Sequence, residues 1–113
     1  MPYITIDTNA KVKVQPEMLE NLTDLVAVTL GKPKKYIISK INTGKDMMFG
    51  DDMSNIGALI GMKSIGFGGK EDILAQKLTD FAKDNFGADQ EYVGIQLQDM
   101  LAHNVACGGK LLG

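Results

Sequence analysis

Thr29-Leu-Gly-Lys-Pro-Lys-Lys-Tyr-Ile-Ile-Ser-Lys-Ile41 has a counterpart later in the chain, Asn85-Phe-Gly-Ala-Asp-Gln-Glu-Tyr-Val-Gly-Ile-Gln-Leu97. In both stretches a glycine follows an amphipathic segment, and a tyrosine five residues later opens an apolar run typical of a strand. The glycines are Gly31 and Gly87, and the tyrosines are Tyr36 and Tyr92. This self-similarity predicts that one supersecondary unit occurs twice in the chain.

The segment before each glycine has the apolar spacing of a helix. The first predicted helix begins at Pro16, a residue suited to the first helical turn. The second begins after Lys70, with acidic residues early in the helix, where the helix dipole favours them. Gly31 and Gly87 stand where a left-handed C-terminal cap is expected. The apolar stripes are Leu19, Leu22, Val26 and Leu30 in the first helix, and Leu74, Leu78, Phe81 and Ala82 in the second.

A strand-like run also precedes each helix, at residues 3–7 and at about 56–64. The order is therefore β-α-β followed by β-α-β, and each half is expected to be a parallel strand pair with a right-handed crossover. We predict an α+β fold in which a four-stranded mixed sheet carries both helices on one face. Residues 1–113 form a single domain, with pseudo-repeats at about 1–50 and 56–107.

The face of the sheet that the helices leave free is predicted to be apolar as well. Ala58, Ile60 and Met62 alternate with Leu59, which would make this strand apolar on both sides. A short chain has nothing else with which to cover such a face, so the pattern predicts a homo-oligomer. Gln96 and Gln98 on the last long strand are polar and weigh against this interpretation.

Composition excludes several classes of function. The 113 residues carry a formal net charge of −2, which gives no basic footprint for nucleic acid. No apolar run has the length of a membrane span, and the first residues lack the pattern of a signal peptide, so we expect a cytoplasmic protein. Cys107 is the only cysteine and His103 the only histidine, so we expect neither a disulfide nor a metal or cofactor site.

The second residue is the strongest candidate for chemistry. Removal of Met1 before a small residue such as Pro2 would leave a free secondary amine at the head of an apolar strand. An internal proline nitrogen is an amide and has no basicity, whereas a buried terminal amine can titrate near neutral pH and act as a general base. Met-Pro is also a common start, so the dipeptide alone does not decide between the two interpretations.

The whole chain resembles a known family in several short motifs that occur in one order. It is similar to the macrophage migration inhibitory factor family and to D-dopachrome tautomerase, within the tautomerase superfamily. The similarity extends from Pro2 to about Val105. The motifs are Pro2 on the first strand, Thr8-Asn9 at its end, Gly31-Lys32-Pro33 before Tyr36-Ile37, Ser64-Ile65-Gly66 before Gly68-Gly69, and Asp99-Met100 with Asn104-Val105.

The resemblance implies a fold, an assembly and an activity. It implies a homotrimer whose three sheets enclose a central barrel, and keto–enol tautomerisation of α-keto acids such as phenylpyruvate. Pro2 would be the general base, and Lys32 would pair with the substrate carboxylate or polarise its carbonyl oxygen. Ile65 would face the substrate through its backbone, with Ser64 beside it. No metal or cofactor is implied.

The chain departs from the family at several positions of the implied pocket. Gly94 replaces a tyrosine that a neighbouring subunit supplies, and Gln96 replaces an asparagine that is part of the same pocket. Loss of a stacking aromatic ring should weaken the activity on phenylpyruvate, by roughly tenfold or less in binding. Cys107 and Leu112 stand in place of C-terminal aromatic residues. The family's CxxC is here Gly57-Ala58-Leu59-Ile60, which excludes thiol–disulfide oxidoreductase activity.

Two other functions are open to a chain of this kind. Animal relatives act as signalling or receptor-binding proteins. If this chain does the same, its pocket would be a relic and the protein could be secreted by a non-classical route. The absent CxxC and the changed C-terminus weaken this alternative. Hydration of unsaturated haloacids, known in the superfamily, needs pocket arginines, and this sequence contains no arginine. We therefore favour the tautomerase.

Overall fold

The structure is a computed structural model that describes residues 1–113. Four strands form one mixed sheet in the order β2-β1-β3-β4, in which β1 pairs parallel with β2 and antiparallel with β3, and β3 pairs parallel with β4. This confirms the predicted fold. The elements are β1 (Tyr3–Thr8), α1 (Pro16–Leu30), β2 (Ile38–Asn42), β3 (Ala58–Ser64), α2 (Glu71–Phe86), β4 (Val93–Asp99), β5 (Ala106–Cys107) and β6 (Lys110–Leu111).

The two helices end at the predicted glycines. Gly31 has a φ of 64° and Gly87 a φ of 70°, the left-handed conformation that glycine adopts without steric cost. The backbone N–H of Gly31 donates to the carbonyl of Ala27, and that of Gly87 donates to the carbonyl of Lys83. The cap after α1 also turns the chain so that Lys32 leaves the helix toward the sheet.

Tyr36 and Tyr92 do not open strands, which corrects the prediction. Each ends a short 3-10 turn, Lys34–Tyr36 or Gln90–Tyr92, and the strand follows. The first turn starts after Pro33, whose C=O accepts from the N–H of Tyr36 at 3.2 Å. In the second turn, the side chain of Asp89 accepts from the N–H of Glu91. Local turn chemistry therefore outweighs the strand preference of the tyrosines.

The hydrophobic core lies between the helices and one face of the sheet. Fifteen buried residues form a single cluster, with alternate side chains of β1 and β3 packed against one stripe of each helix. Residues pointing inward from the strands include Ile4, Ile6, Ala58, Ile60 and Met62, and those from the helices include Leu22, Val26, Leu74, Leu78 and Ala82. Neither helix has the length and apolar character that crossing a membrane requires.

The opposite face of the sheet is open and more polar than predicted. On β3 the outward residues are Leu59, Gly61 and Lys63, so the expectation that this strand is apolar on both sides was wrong. Apolar side chains do remain on this face, since Ile38 is 59% exposed and Leu59 is 54% exposed. Strict alternation along β3 separates a fully buried face from a mixed one. We call this surface the open sheet face.

A C-terminal hairpin was not predicted. Strands β5 and β6 pair antiparallel around Gly108 and Gly109, both of which have positive φ. Two consecutive positive-φ residues are what a tight two-residue hairpin turn requires. The hairpin carries Leu112 back along the chain, where its N–H donates to the carbonyl of Val105 at 2.8 Å.

Candidate functional site

The start of the chain is buried at the head of β1. Pro2 has almost no exposed side-chain surface, and its C=O accepts a hydrogen bond from the N–H of Ile38 at 3.1 Å. This bond extends the pairing of β1 with β2 by one residue and fixes Pro2 at the edge of the core. Met1 precedes it and carries the terminal amino group.

Lys32 reaches from the end of α1 to the end of β3. Its Nζ donates to Ser64 Oγ at 2.9 Å, to the carbonyl oxygen of Ile65 at 2.7 Å and to that of Gly66 at 3.3 Å. Ser64 is fully buried, and its hydroxyl donates in turn to the carbonyl oxygen of Gly66 at 2.8 Å. The structure thus brings Lys32 to Ser64 and Ile65, which are more than thirty residues away from it in the sequence, so three of the predicted site residues lie together.

The terminal amine and Lys32 both have lowered pKa values. Burial lowers the pKa of the Met1 amino group below its usual value, the Lys32 ammonium lowers it further, and Cys107 acts in the opposite direction. Burial also lowers the pKa of Lys32. An amine that is partly desolvated and lies near a second cation disfavours its own protonated form. The N-terminal amine is therefore in an environment that favours a base with a lowered pKa.

A small apolar cavity adjoins the terminal residue. It has a volume of about 150 Å³ and is lined by Met1, Tyr36 and Leu112. Tyr36 comes from the turn that follows Lys32, and Leu112 comes from the C-terminal hairpin. Sequence reasoning interpreted Tyr36 as the start of a strand and placed Leu112 only through the resemblance. No local pattern marks either residue as part of a cavity, because only the fold brings them together.

Gln96 lies apart from these residues within one chain. It points outward from β4 on the open sheet face, where it pairs in register with Gly61, whereas Ser64 is buried on the helix side of β3. A shallow groove of about 330 Å³ on this face is lined by Gln96, Gln98, Tyr3 and Lys63, among others. Although it is larger than the cavity at Met1, neither Lys32 nor the terminal residue lines it, so the chemistry points to the smaller cavity. Gln96 remains a predicted site residue that the single chain does not bring to Lys32 and Ser64.

The residues offer no obvious cation site. No group of three or more His, Cys, Asp or Glu side chains lies close enough together to hold a metal ion. The chemically distinctive groups are the terminal amine, the Lys32 ammonium and the apolar wall. Together they suit an anionic organic molecule with an apolar part, because an ammonium can pair with a carboxylate while Tyr36 and Leu112 contact carbon.

The doubled β-α-β unit with its C-terminal hairpin defines a protein of the tautomerase fold. Residues 1–113 match the family described as macrophage migration inhibitory factor (MIF). The chain is 31% identical over 116 residues to the macrophage migration inhibitory factor homolog of Brugia malayi, and the match covers all of both chains. The chain belongs to the macrophage migration inhibitory factor family, which confirms the resemblance seen in the sequence.

Solved structures of relatives have the same fold. The macrophage migration inhibitory factor from Trichinella spiralis is 26% identical and superposes with a TM-score of 0.88, covering 96% of this chain and 98% of that one. The homologue from Prochlorococcus marinus is 23% identical with a TM-score of 0.87, covering 98% of this chain and 99% of that one, and it supports the fold alone.

Proposed function

We propose that this protein is a tautomerase that interconverts the keto and enol forms of α-keto acids such as phenylpyruvate, with Pro2 as the general base. The observation that carries the proposal is the position of the terminal amine, here on Met1, beside Lys32, where partial burial and the second cation both lower the pKa of the amine. Family membership supports the reaction class.

Pro2 becomes the base when Met1 is removed. The terminal amine then shifts by one residue to the Pro2 nitrogen, next to a side chain that is already fully buried. Burial and the Lys32 ammonium act on an amine in this region, so its neutral form is favoured more than in an ordinary α-amino group. A neutral secondary amine can accept a proton from the carbon next to the ketone and return it to the enol.

Lys32 is proposed to bind the substrate anion. Its three N–H donors are engaged in the free protein, and the bond to the Gly66 carbonyl, at 3.3 Å, is the longest. This donor can turn to a substrate oxygen at the smallest cost, while Ser64 and Ile65 continue to hold the ammonium. We therefore assign Ser64 and the Ile65 carbonyl to the orientation of Lys32.

The open sheet face is proposed to be covered in a homotrimer. The exposed Ile38 and Leu59 are apolar groups that a neighbouring copy would remove from water. In that assembly Gly94 and Gln96 of one copy would approach the site of another, which accounts for their position away from Lys32. Sedimentation equilibrium of the purified protein should give three times the 12.2 kDa chain mass; a monomer at micromolar concentration would contradict the proposal.

The test of the base compares two preparations that differ only at the terminus. One has lost Met1, as shown by intact mass, and the other carries an alanine inserted between Met1 and Pro2. In the second, the Pro2 nitrogen is an amide, so enolisation of phenylpyruvate should fall by about 10²–10⁴-fold, the usual contribution of a general base. Equal rates in the two preparations would refute the assignment of Pro2.

A further inference from the structure

Two neighbouring lysines in the turn between Lys32 and β2 make different contacts. Lys34 Nζ lies 2.6 Å from Asp24 Oδ1, so its charge is paired with a carboxylate on α1. Lys35 makes no ion pair, and its Nζ lies 4.9 Å from the centroid of the Tyr36 ring. This distance is within the range of a cation–π interaction. The unpaired ammonium of Lys35 therefore lies over the Tyr36 ring, which forms one wall of the cavity.

The ring of Tyr36 has few other constraints. Its side chain is 39% exposed and lies outside the hydrophobic core. The aromatic pairs of the protein, Phe49 with Tyr92 and Phe81 with Phe86, do not include it. Its backbone is fixed by hydrogen bonds of the turn, whereas its hydroxyl makes no hydrogen bond within the chain. The ammonium of Lys35 is the directional contact that selects one ring position.

We infer that Lys35 is a positioning residue that holds the Tyr36 ring as a wall of the substrate cavity. The cavity is lined by Met1, Tyr36 and Leu112. Once Met1 is removed, the Tyr36 ring and Leu112 are the walls that remain, so the placement of one aromatic ring determines much of its shape. A fixed ring favours binding of the apolar part of the substrate and leaves the proton transfer unaffected. This inference rests on the proposed tautomerase function for its kinetic consequence, but the contact between Lys35 and Tyr36 can be tested without catalysis.

The experiment uses the Met1-free protein and three variants. Lys35→Gln removes the charge, Lys35→Arg keeps a cation that can stack on the ring, and Lys77→Gln removes one exposed charge from the outer face of α2 as a matched control. Kinetics with phenylpyruvate are measured at low salt and at about 1 M salt, where the screening length is about 3 Å. NMR of ring-labelled tyrosine reports the environment of Tyr36 in the same samples.

Lys35→Gln should raise KM roughly two- to fivefold with kcat unchanged, as expected for loss of an exposed cation–π contact. The increase in KM should persist at high salt, and Lys35→Arg should have the KM of the parent. The NMR signals of the Tyr36 ring should shift in Lys35→Gln and in no other variant. The inference is overturned if Lys35→Gln behaves like Lys77→Gln, or if the increase in KM disappears at high salt, which would indicate long-range attraction. If the parent shows no enolisation, the proposed function is wrong. The NMR spectrum of the labelled tyrosine rings then still tests the contact: a shift of the Tyr36 signals in Lys35→Gln supports it, and unchanged signals contradict it.

Discussion

Lys32 makes most of the electrostatic interactions of the candidate site. It is held by a buried hydroxyl and two carbonyl oxygens, and it is the charged neighbour that lowers the pKa of the terminal amine. Its own pKa is lowered by burial, yet its Nζ donates to three oxygen atoms, an arrangement that suits the charged ammonium with its three N–H donors. One residue can therefore both bind an anion and keep the nearby base unprotonated.

Replacing Lys32 should affect binding and the pH profile in separable ways. Lys32→Gln removes a charge-assisted hydrogen bond, which is worth about 1.5–3 kcal/mol, so kcat/KM for phenylpyruvate should fall by roughly 10- to 150-fold. Without the second cation the protonated amine is less disfavoured, so its pKa rises and the acidic limb of the kcat/KM profile should move to higher pH. A profile that stays in place would show that Lys32 does not act on the base.

At the scale of elements, the glycine after α1 sets the direction of Lys32. Gly31 and Gly87 are both left-handed caps, and in each case a Cβ would have no atom within 4 Å. Alanine at either position should therefore meet backbone strain alone, about 1–2 kcal/mol. Both variants should lower the free energy of unfolding by a similar amount, as measured by urea denaturation.

Activity should distinguish the two caps. Gly31→Ala should also reduce enolisation of phenylpyruvate, because Lys32 follows the cap directly and its reach to Ser64 depends on the turn. Gly87 lies between α2 and the turn that leads to β4, away from Lys32. Gly87→Ala should therefore leave the specific activity of the folded protein near that of the parent. Equal specific activities in the two variants would mean that the cap after α1 does not orient the site.

The sequence predicts the helices and the sheet because their signals are local. Apolar residues at helical spacing and the two capping glycines lie within short windows, and both helices occur where these patterns place them. The starts of β2 and β4 are wrong in the prediction because Pro33 and Asp89 build turns that a tyrosine before an apolar run does not reveal. The hairpin was missed although Gly108-Gly109 is a turn signal that could have found it.

The site was less accessible to sequence reasoning than the fold. The contact of Lys32 with Ser64 and Ile65 joins the end of α1 to the end of β3, and no spacing rule links residues so distant in the chain. Lys32 and Pro2 were found through a family resemblance and through the chemistry of a terminal amine. The contact of Lys35 with Tyr36 depends on side-chain direction, which sequence periodicity does not give.

At the scale of the whole molecule, the open sheet face is the surface through which, in the proposed trimer, one copy would contribute residues to the site of another. Gly94 lies on this face, where a Cβ would meet only Leu59 Cδ1 at 3.6 Å, an ordinary contact. A side chain at this position would therefore begin without a clash at its Cβ. If the chains assemble as a trimer, such a side chain would extend into the site of a neighbouring copy.

Gly94→Tyr should increase kcat/KM for phenylpyruvate because a ring from the neighbouring copy would stack on the substrate. An aromatic pair contributes about 0.5–1.5 kcal/mol beyond area burial, so we expect a two- to tenfold decrease in KM. Gly94→Ala is the matched control, with a Cβ but no ring, and should resemble the parent. A tyrosine variant that remains trimeric and gains nothing would show that this position does not face a substrate.

The central claim is that the chain presents a buried proline amine whose pKa is lowered below that of an ordinary α-amino group. It is tested most directly by an NMR titration of protein labelled with ¹⁵N-proline, with Met1 removed and the assembly intact. We predict that the Pro2 nitrogen titrates below about 8, the ordinary α-amino range, because burial and the Lys32 ammonium both disfavour its charged form. A Pro2 amine that stays protonated through that range would contradict the account.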